Sequence, residues 1–282
     1  MNKTLYGITA LFSFLFLCRQ SSFAQESADD RLTDGTPPAF SDLERDLSHT
    51  SPGYFTVNPK SVSVKLLSVT DAPDMTYVRL KEEPPKDLNG VLVTVDSIVN
   101  VASKLWQIVH DNAAVPNIES KYATAYPQGV TSASQLTQWS RPKVYSYGFY
   151  AENLYGGVMI DCSYKVAFTY DGSYKGKGKF LTGVAVIPTV AQVAWGYNFS
   201  MTAAVPDSTI TNVGTEADPV AALQLKLTWK MSTVLKEFDG TSVYYVQGDG
   251  YYKEIATPWK GEPKTIGSVK AALPLLDPLK VF

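Results

Sequence analysis

The chain of 282 residues is 45% hydrophobic, 12% aromatic and 18% charged, a composition that supports a sizeable buried core. Its formal net charge is −2 at pH 7, so the chain has no excess of basic residues such as nucleic-acid-binding proteins have. Nucleic acid is therefore not an expected partner. Charged residues are scarcer than usual, and 17 tyrosines and 12 phenylalanines favour strands over exposed helices.

Residues 1–24 have the pattern of a cleavable signal peptide. The basic Lys3 precedes an apolar run over residues 8–18, and Ser22 and Ala24 place small side chains before the predicted cleavage site. The apolar run is shorter than the roughly 20 residues that span a bilayer, and no later apolar stretch is as long as a transmembrane helix requires. The mature chain is therefore expected to be soluble, to be exported to the periplasm or secreted, and to contain no transmembrane helix.

Residues 25–59 differ in composition from the rest of the chain. Acidic residues and prolines are frequent there, and apolar residues recur at no regular period. This composition predicts a flexible acidic arm, with one short helical turn over residues 41–47. The remaining residues, 60–282, are predicted to form a single β-rich domain with one helix.

One stretch of the domain, residues 88–111, has helical periodicity. Apolar side chains recur there at steps of three and four residues and would form one continuous stripe on a helix. These residues are Leu88, Val91, Val95, Ile98, Ala102, Leu105 and Val109. Residues 91–95 fit a strand equally well, in which case Asp96 would cap a shorter helix.

Period-two alternation, the pattern of antiparallel strands, dominates the rest of the domain. It begins with a strand at residues 62–66 and then extends over most of the chain beyond Ser140. Apolar residues lie at even positions before Pro188 and at odd positions after it, which predicts a break or bulge at residues 187–190. Asp171-Gly172 predicts a hairpin turn. The predicted fold is mainly β: an antiparallel β-sandwich with one packed α-helix at about residues 88–111.

Common catalytic and cofactor motifs are absent from the sequence. Two histidines and one mature cysteine, Cys162, do not supply a usual zinc ligand set, and Cys162 itself is predicted to be a small buried side chain. The sequence contains no Gly-x-Ser-x-Gly elbow and no glycine-rich nucleotide loop. We therefore predict no metal, no cofactor and no catalytic residue. A glycoside hydrolase with a carboxylate pair remains the enzyme alternative, its acids drawn from the list Glu152, Asp161, Asp249 and Glu254.

Tyrosines crowd two segments of the predicted sheets and are the candidate ligand-binding residues. Adjacent strand residues point to opposite faces, so one member of each adjacent pair must leave the core side. The candidates are Tyr244, Tyr245, Tyr251, Tyr252, Tyr147 and Tyr150. Exposed tyrosines offer rigid amphipathic contact area, which predicts non-catalytic binding of a glycan or a protein partner at the cell envelope. An oligomerising β protein that inserts into a membrane is a further alternative.

Overall fold

The structure, a computed structural model, describes residues 40–71, 84–115 and 121–257. These residues belong to one compact unit. The signal peptide predicted over residues 1–24 and the first part of the predicted arm lie outside the described residues.

Two antiparallel sheets make up the fold. The first has six strands in the order β1-β6-β7-β8-β5-β2, with β1 and β2 at its edges. Its strands are β1 (Ser63–Asp71), β2 (Thr94–Val99), β5 (Ala123–Gln128), β6 (Lys143–Glu152), β7 (Val158–Tyr174) and β8 (Lys177–Val193). The second sheet has the order β13-β12-β11-β9-β3-β4, and β10 also pairs with β11. Its strands are β3 (Leu105–His110), β4 (Ala113–Ala114), β9 (Asn198–Ala204), β10 (Thr211–Asn212), β11 (Ala221–Ser232), β12 (Glu237–Gln247) and β13 (Tyr252–Ala256).

The main core lies between the two sheets. Phe149 of β6 packs against Phe199 of β9 and Trp229 of β11, with ring centroids 5.0 and 5.2 Å apart. All three side chains are at most 2% exposed. Alternate residues of each strand supply such contacts, as expected of antiparallel sheets that bury one face. The predicted antiparallel β-sandwich with one helix is confirmed.

The helix is not located where the periodicity predicted it. Residues 94–99 and 105–110 form β2 and β3, so the prediction of a helix at about residues 88–111 is wrong. The stretch is rich in β-branched residues, which fit a pleated surface. Pairing of β3 with β9 and of β2 with β5 supplies the long-range contacts that favour strands there.

The single α-helix of the described residues, α1 (Asp42–Thr50), lies in the second part of the predicted arm. A capping box begins it: the Glu44 backbone N–H donates to the Ser41 hydroxyl oxygen, and the Ser41 N–H donates to the Glu44 carboxylate. The predicted short turn at residues 41–47 is thus helical and extends to Thr50. After the helix, Tyr54 and Phe55 are fully buried in the core. The expectation of a flexible arm therefore does not hold for residues 42–59.

The predicted change of strand parity near Pro188 has a local cause. Ser163 of β7 pairs with Val190, whereas Tyr164 pairs with Pro188, so Thr189 forms a bulge inside β8. The strand stays in the same sheet on both sides of this bulge. The hairpin predicted at Asp171-Gly172 is displaced, because β7 continues to Tyr174 before the chain turns.

Cys162 is fully buried on the core side of β7 and forms no disulfide, as its place in the alternation predicted. Burial raises the pKa of its thiol to about 12, and the charge of the neighbouring Asp161 adds to the shift. The thiol therefore remains protonated at neutral pH, which removes its nucleophilic form.

Candidate functional site

Three of the six candidate tyrosines point into the sandwich. Tyr147 and Tyr244 are at most 1% exposed, and their ring centroids lie 5.1 Å apart. The Tyr147 and Tyr252 hydroxyls are hydrogen-bonded at 2.9 Å, and the Tyr252 ring stacks on Tyr145 with centroids 3.7 Å apart. Tyr147 and Tyr244 therefore have no surface to offer a ligand, and Tyr252 is mainly a core contact.

A fourth tyrosine, Tyr164 of β7, joins these rings and was not among the candidates. Its hydroxyl is hydrogen-bonded to that of Tyr244 at 2.8 Å, and its ring stacks on Tyr147 with centroids 5.6 Å apart. Burial is the largest cause that raises the pKa of Tyr147, Tyr164 and Tyr244 well above the ordinary tyrosine value. These tyrosines, with Tyr252, form a hydrogen-bonded cluster that belongs to the core.

Tyr150 is also buried, at 6% exposure, on the opposite side of β6. Its hydroxyl donates a hydrogen bond of 2.9 Å to Glu152 Oε1. Burial first, then this hydrogen bond and the charges of Glu152 and Asp161, raise the pKa of Tyr150. Tyr150 is therefore not part of an exposed binding surface.

The two remaining candidates, Tyr245 and Tyr251, lie together on the outer side of the second sheet. Their ring centroids are 6.2 Å apart with an interplanar angle of 69°, an edge-to-face arrangement. Tyr251 is 49% exposed. The neighbours Tyr244 and Val246 are fully buried, so the alternation of β12 turns Tyr245 away from the core. The structure thus brings together the outward member of each adjacent tyrosine pair.

Hydrogen bonds fix the outward pair in place. The Gln247 side-chain amide donates to the Tyr245 hydroxyl oxygen at 2.8 Å, and the Gln247 backbone N–H donates to the Tyr251 carbonyl at 2.9 Å. The Tyr251 N–H in turn donates to Asp249 Oδ1 at 3.0 Å. The turn itself needs Gly250, which has φ of +86° and would bring an added Cβ within 2.6 Å of the Tyr170 ring. The Tyr245 side chain is therefore held by its own hydroxyl, and the Tyr251 backbone by the hairpin.

Polar residues of three strands surround Tyr245 on this side of the sheet. In the strand register, Gln224 of β11 lies opposite Tyr245, and Lys253 of β13 lies opposite Tyr245 from the other side. Lys226 is two residues further along β11 and is a diagonal neighbour of Tyr245. We call this surface the outer tyrosine face; it consists of Gln224, Lys226, Tyr245, Gln247, Tyr251 and Lys253.

Sequence reasoning identified the two aromatic members of the outer tyrosine face and missed the four polar ones. Gln247 shares the parity of Tyr245 along β12, so the alternation could have indicated it. Gln224, Lys226 and Lys253 join the face through the pairing of β11 and β13 with β12. A cross-strand register of this kind depends on the assembled sheet, and the local sequence carries no direct signal for it.

The described residues offer no metal centre and no membrane-spanning helix. No group of three or more histidine, cysteine, aspartate or glutamate side chains in residues 40–71, 84–115 and 121–257 is placed to hold a metal ion. In the same ranges, no helix is long and apolar enough to cross a membrane.

Comparisons of the chain with protein-family models, with curated proteins and with solved structures find no match. The outer tyrosine face is thus the candidate site that the geometry supports.

Proposed function

We propose that this protein is exported and acts without catalysis, by binding a glycan at the cell envelope through the outer tyrosine face. The observation that carries the proposal is the outward pair of Tyr245 and Tyr251, whose positions Gln247 and the hairpin backbone hold. Rings that are already fixed lose little conformational entropy when a ligand binds, so more of the contact energy remains for affinity.

The size and chemistry of the face favour a glycan over a protein partner. A stable protein interface buries about 800 Å² on each side and has an extensive apolar centre. The outer tyrosine face has two rings, and its other members are amides and ammonium groups. Amide groups can both donate hydrogen bonds to sugar hydroxyls and accept them, while a tyrosine ring provides a flat apolar surface for the sugar ring.

Replacing both rings tests the proposed site. We expect the Tyr245→Ala/Tyr251→Ala variant of the full chain to lose retention on a panel of envelope polysaccharides by about 10- to 100-fold, because truncation of a contact aromatic typically costs about 1–3 kcal/mol. Its thermal midpoint should change little, because both rings lie outside the core. Affinity electrophoresis and thermal unfolding measure the two effects.

Tyr155→Ala provides a matched control for this variant. Tyr155 is 62% exposed and lies in the turn between β6 and β7, outside the outer tyrosine face. The control should keep full retention. Failure of the unaltered protein to bind any polysaccharide of the panel, or equal retention by the double variant, would contradict the proposal. If the protein retained a purified protein partner and no glycan, the glycan proposal would be wrong and the function would be protein binding.

Export is a separate part of the proposal and rests on the sequence of residues 1–24. We expect the protein recovered from outside the cytoplasm to begin at or near Gln25. The intact mass of that protein measures the start directly. A mass that includes residues 1–24, or one that shows a lipid on Cys18, would be the opposite result.

A further inference from the structure

Two lysines flank Tyr245 on the outer tyrosine face, one from each neighbouring strand. Lys253 of β13 lies directly opposite Tyr245, and Lys226 of β11 is its diagonal neighbour. Directly opposed side chains have Cβ atoms about 5 Å apart, and diagonal ones about 7–8 Å, which long side chains can bridge. Both ammonium groups can therefore reach a ligand that lies on the Tyr245 ring.

The two lysines lack the carboxylate partners that some other lysines of the fold have. Lys230, also on β11, forms an ion pair of 3.0 Å with Glu237, and Lys179 lies 3.8 Å from Asp171. Among the described residues, no carboxylate oxygen lies within 4.0 Å of the Lys226 or Lys253 ammonium group. Two positive charges thus flank an aromatic ring, and neither is paired with a carboxylate of the described residues.

Acidic groups are present near the hairpin, but none is paired with Tyr245 in the strand register. Glu254, the residue after Lys253 in β13, pairs with Tyr244 and so lies on the opposite side of the strand from Lys253. Asp249 lies in the turn, where its carboxylate accepts the Tyr251 backbone N–H. Asp239 and Glu237 lie at the other end of β12, six or more residues from Tyr245. The charged residues that lie beside Tyr245 on the outer side of the sheet in the register are thus the two lysines, although the whole chain has a formal net charge of −2.

We infer that the outer tyrosine face binds an acidic glycan: a pyranose that bears a carboxylate or a sulfate, with its ring on Tyr245 and its anionic group between Lys226 and Lys253. This inference rests on the proposed function and specifies its ligand class. Charge-assisted hydrogen bonds from the two ammonium groups would orient the sugar, and the ring would supply the apolar contact. The negative net charge of the chain disfavours a general attraction to polyanions, so binding should require this face.

Binding of three soluble polysaccharides to the full chain tests the ligand class. The probes are polygalacturonate, which carries carboxylates, dextran sulfate, which carries sulfates, and neutral dextran. We expect at least one acidic probe to bind at least tenfold more tightly than dextran at low salt, and its affinity to fall as salt is added. Which acidic probe binds more tightly identifies the anionic group.

Neutralising the two lysines tests the site. The Lys226→Gln/Lys253→Gln variant should lose at least tenfold in affinity for the acidic probe. The matched control, Lys60→Gln/Lys177→Gln, removes the same charge from two exposed lysines outside the face and should lose less than threefold. Thermal unfolding of both variants shows whether they remain folded, and each single substitution serves as a second variant if the double one does not.

Each other outcome overturns the inference in a recognisable way. Equal loss in both double variants would show general charge attraction. A different result would be that dextran and the acidic probes bind equally, that the Lys226→Gln/Lys253→Gln variant binds them unchanged, and that the Tyr245→Ala/Tyr251→Ala variant does not bind. This result would refute the acidic ligand and leave the proposed glycan function standing. No binding of any polysaccharide would refute both.

Discussion

Raising the pH above about 10 is expected to unfold the domain cooperatively, because several tyrosines are held in the core in their neutral form. Tyr147, Tyr164 and Tyr244 are buried, and burial raises the pKa of each above its ordinary value. A raised pKa in the folded state means that the folded protein holds these protons more tightly than the unfolded chain. The stability they contribute is complete below pH 10 and is lost as the pH rises from 10 toward the folded-state pKa values.

The size of the effect follows from the linkage relation. Each of the three tyrosines removes roughly 1.4 kcal/mol of stability per pH unit above 10, and together they remove roughly 4 kcal/mol per unit. A domain stability of roughly 5–15 kcal/mol would therefore be lost within about one to four pH units. Circular dichroism and tyrosinate absorbance, followed along one alkaline titration, should change together for these tyrosines.

The Tyr164→Phe/Tyr244→Phe variant is the matched control for the alkaline transition. It removes both hydroxyls of a buried pair, so that neither is left without its partner, and it removes two of the groups whose pKa burial raises. Above pH 10, the unfolding free energy of this variant should fall less steeply with pH than that of the unaltered protein. The difference in slope should be roughly 2.7 kcal/mol per pH unit. Ionisation of all the tyrosines near pH 10 with an unchanged circular dichroism spectrum would contradict the prediction.

The Phe55→Ala variant is expected to lose roughly 3–5 kcal/mol of unfolding free energy, the usual cost of truncating a buried phenylalanine. Phe55 is fully buried although it lies in the stretch whose composition predicts a flexible arm. Its ring packs against Tyr54 and Trp195, with centroids 5.0 and 5.8 Å away. Gly196 is close enough that an added Cβ would lie 2.6 Å from Phe55 Cε1. Urea unfolding of the variant measures the loss.

Leu43→Ala is the control within the same part of the chain. Leu43 lies in α1 and is 56% exposed, so its truncation should change the unfolding free energy by less than about 0.5 kcal/mol. If residues 42–59 did not pack on the sandwich, both variants would be nearly neutral. A loss below about 1 kcal/mol for Phe55→Ala would therefore contradict the described packing.

Local alternation was enough to predict that one member of each adjacent tyrosine pair faces outward, but not which member, and not its surroundings. Tyr244 and Tyr245 are adjacent in β12, so one had to face away from the core, whichever sheet they joined. The alternation also placed Tyr147 among the candidates, because an aromatic side chain on a strand fits both a core and a surface. The second sheet decided between these alternatives by covering Tyr147 with Tyr244 and Tyr252.

The sequence by itself determined that the chain is mainly antiparallel β, because a sheet with one buried face imposes a period of two that can be read locally. It also determined the burial of Cys162 and the bulge near Pro188, since both follow from parity within one strand pair. Only the tertiary structure decided that residues 94–99 and 105–110 form strands, that Phe55 belongs to the core, and that lysines from β11 and β13 flank Tyr245. Each of these depends on contacts between residues far apart in the chain, which a local pattern does not encode.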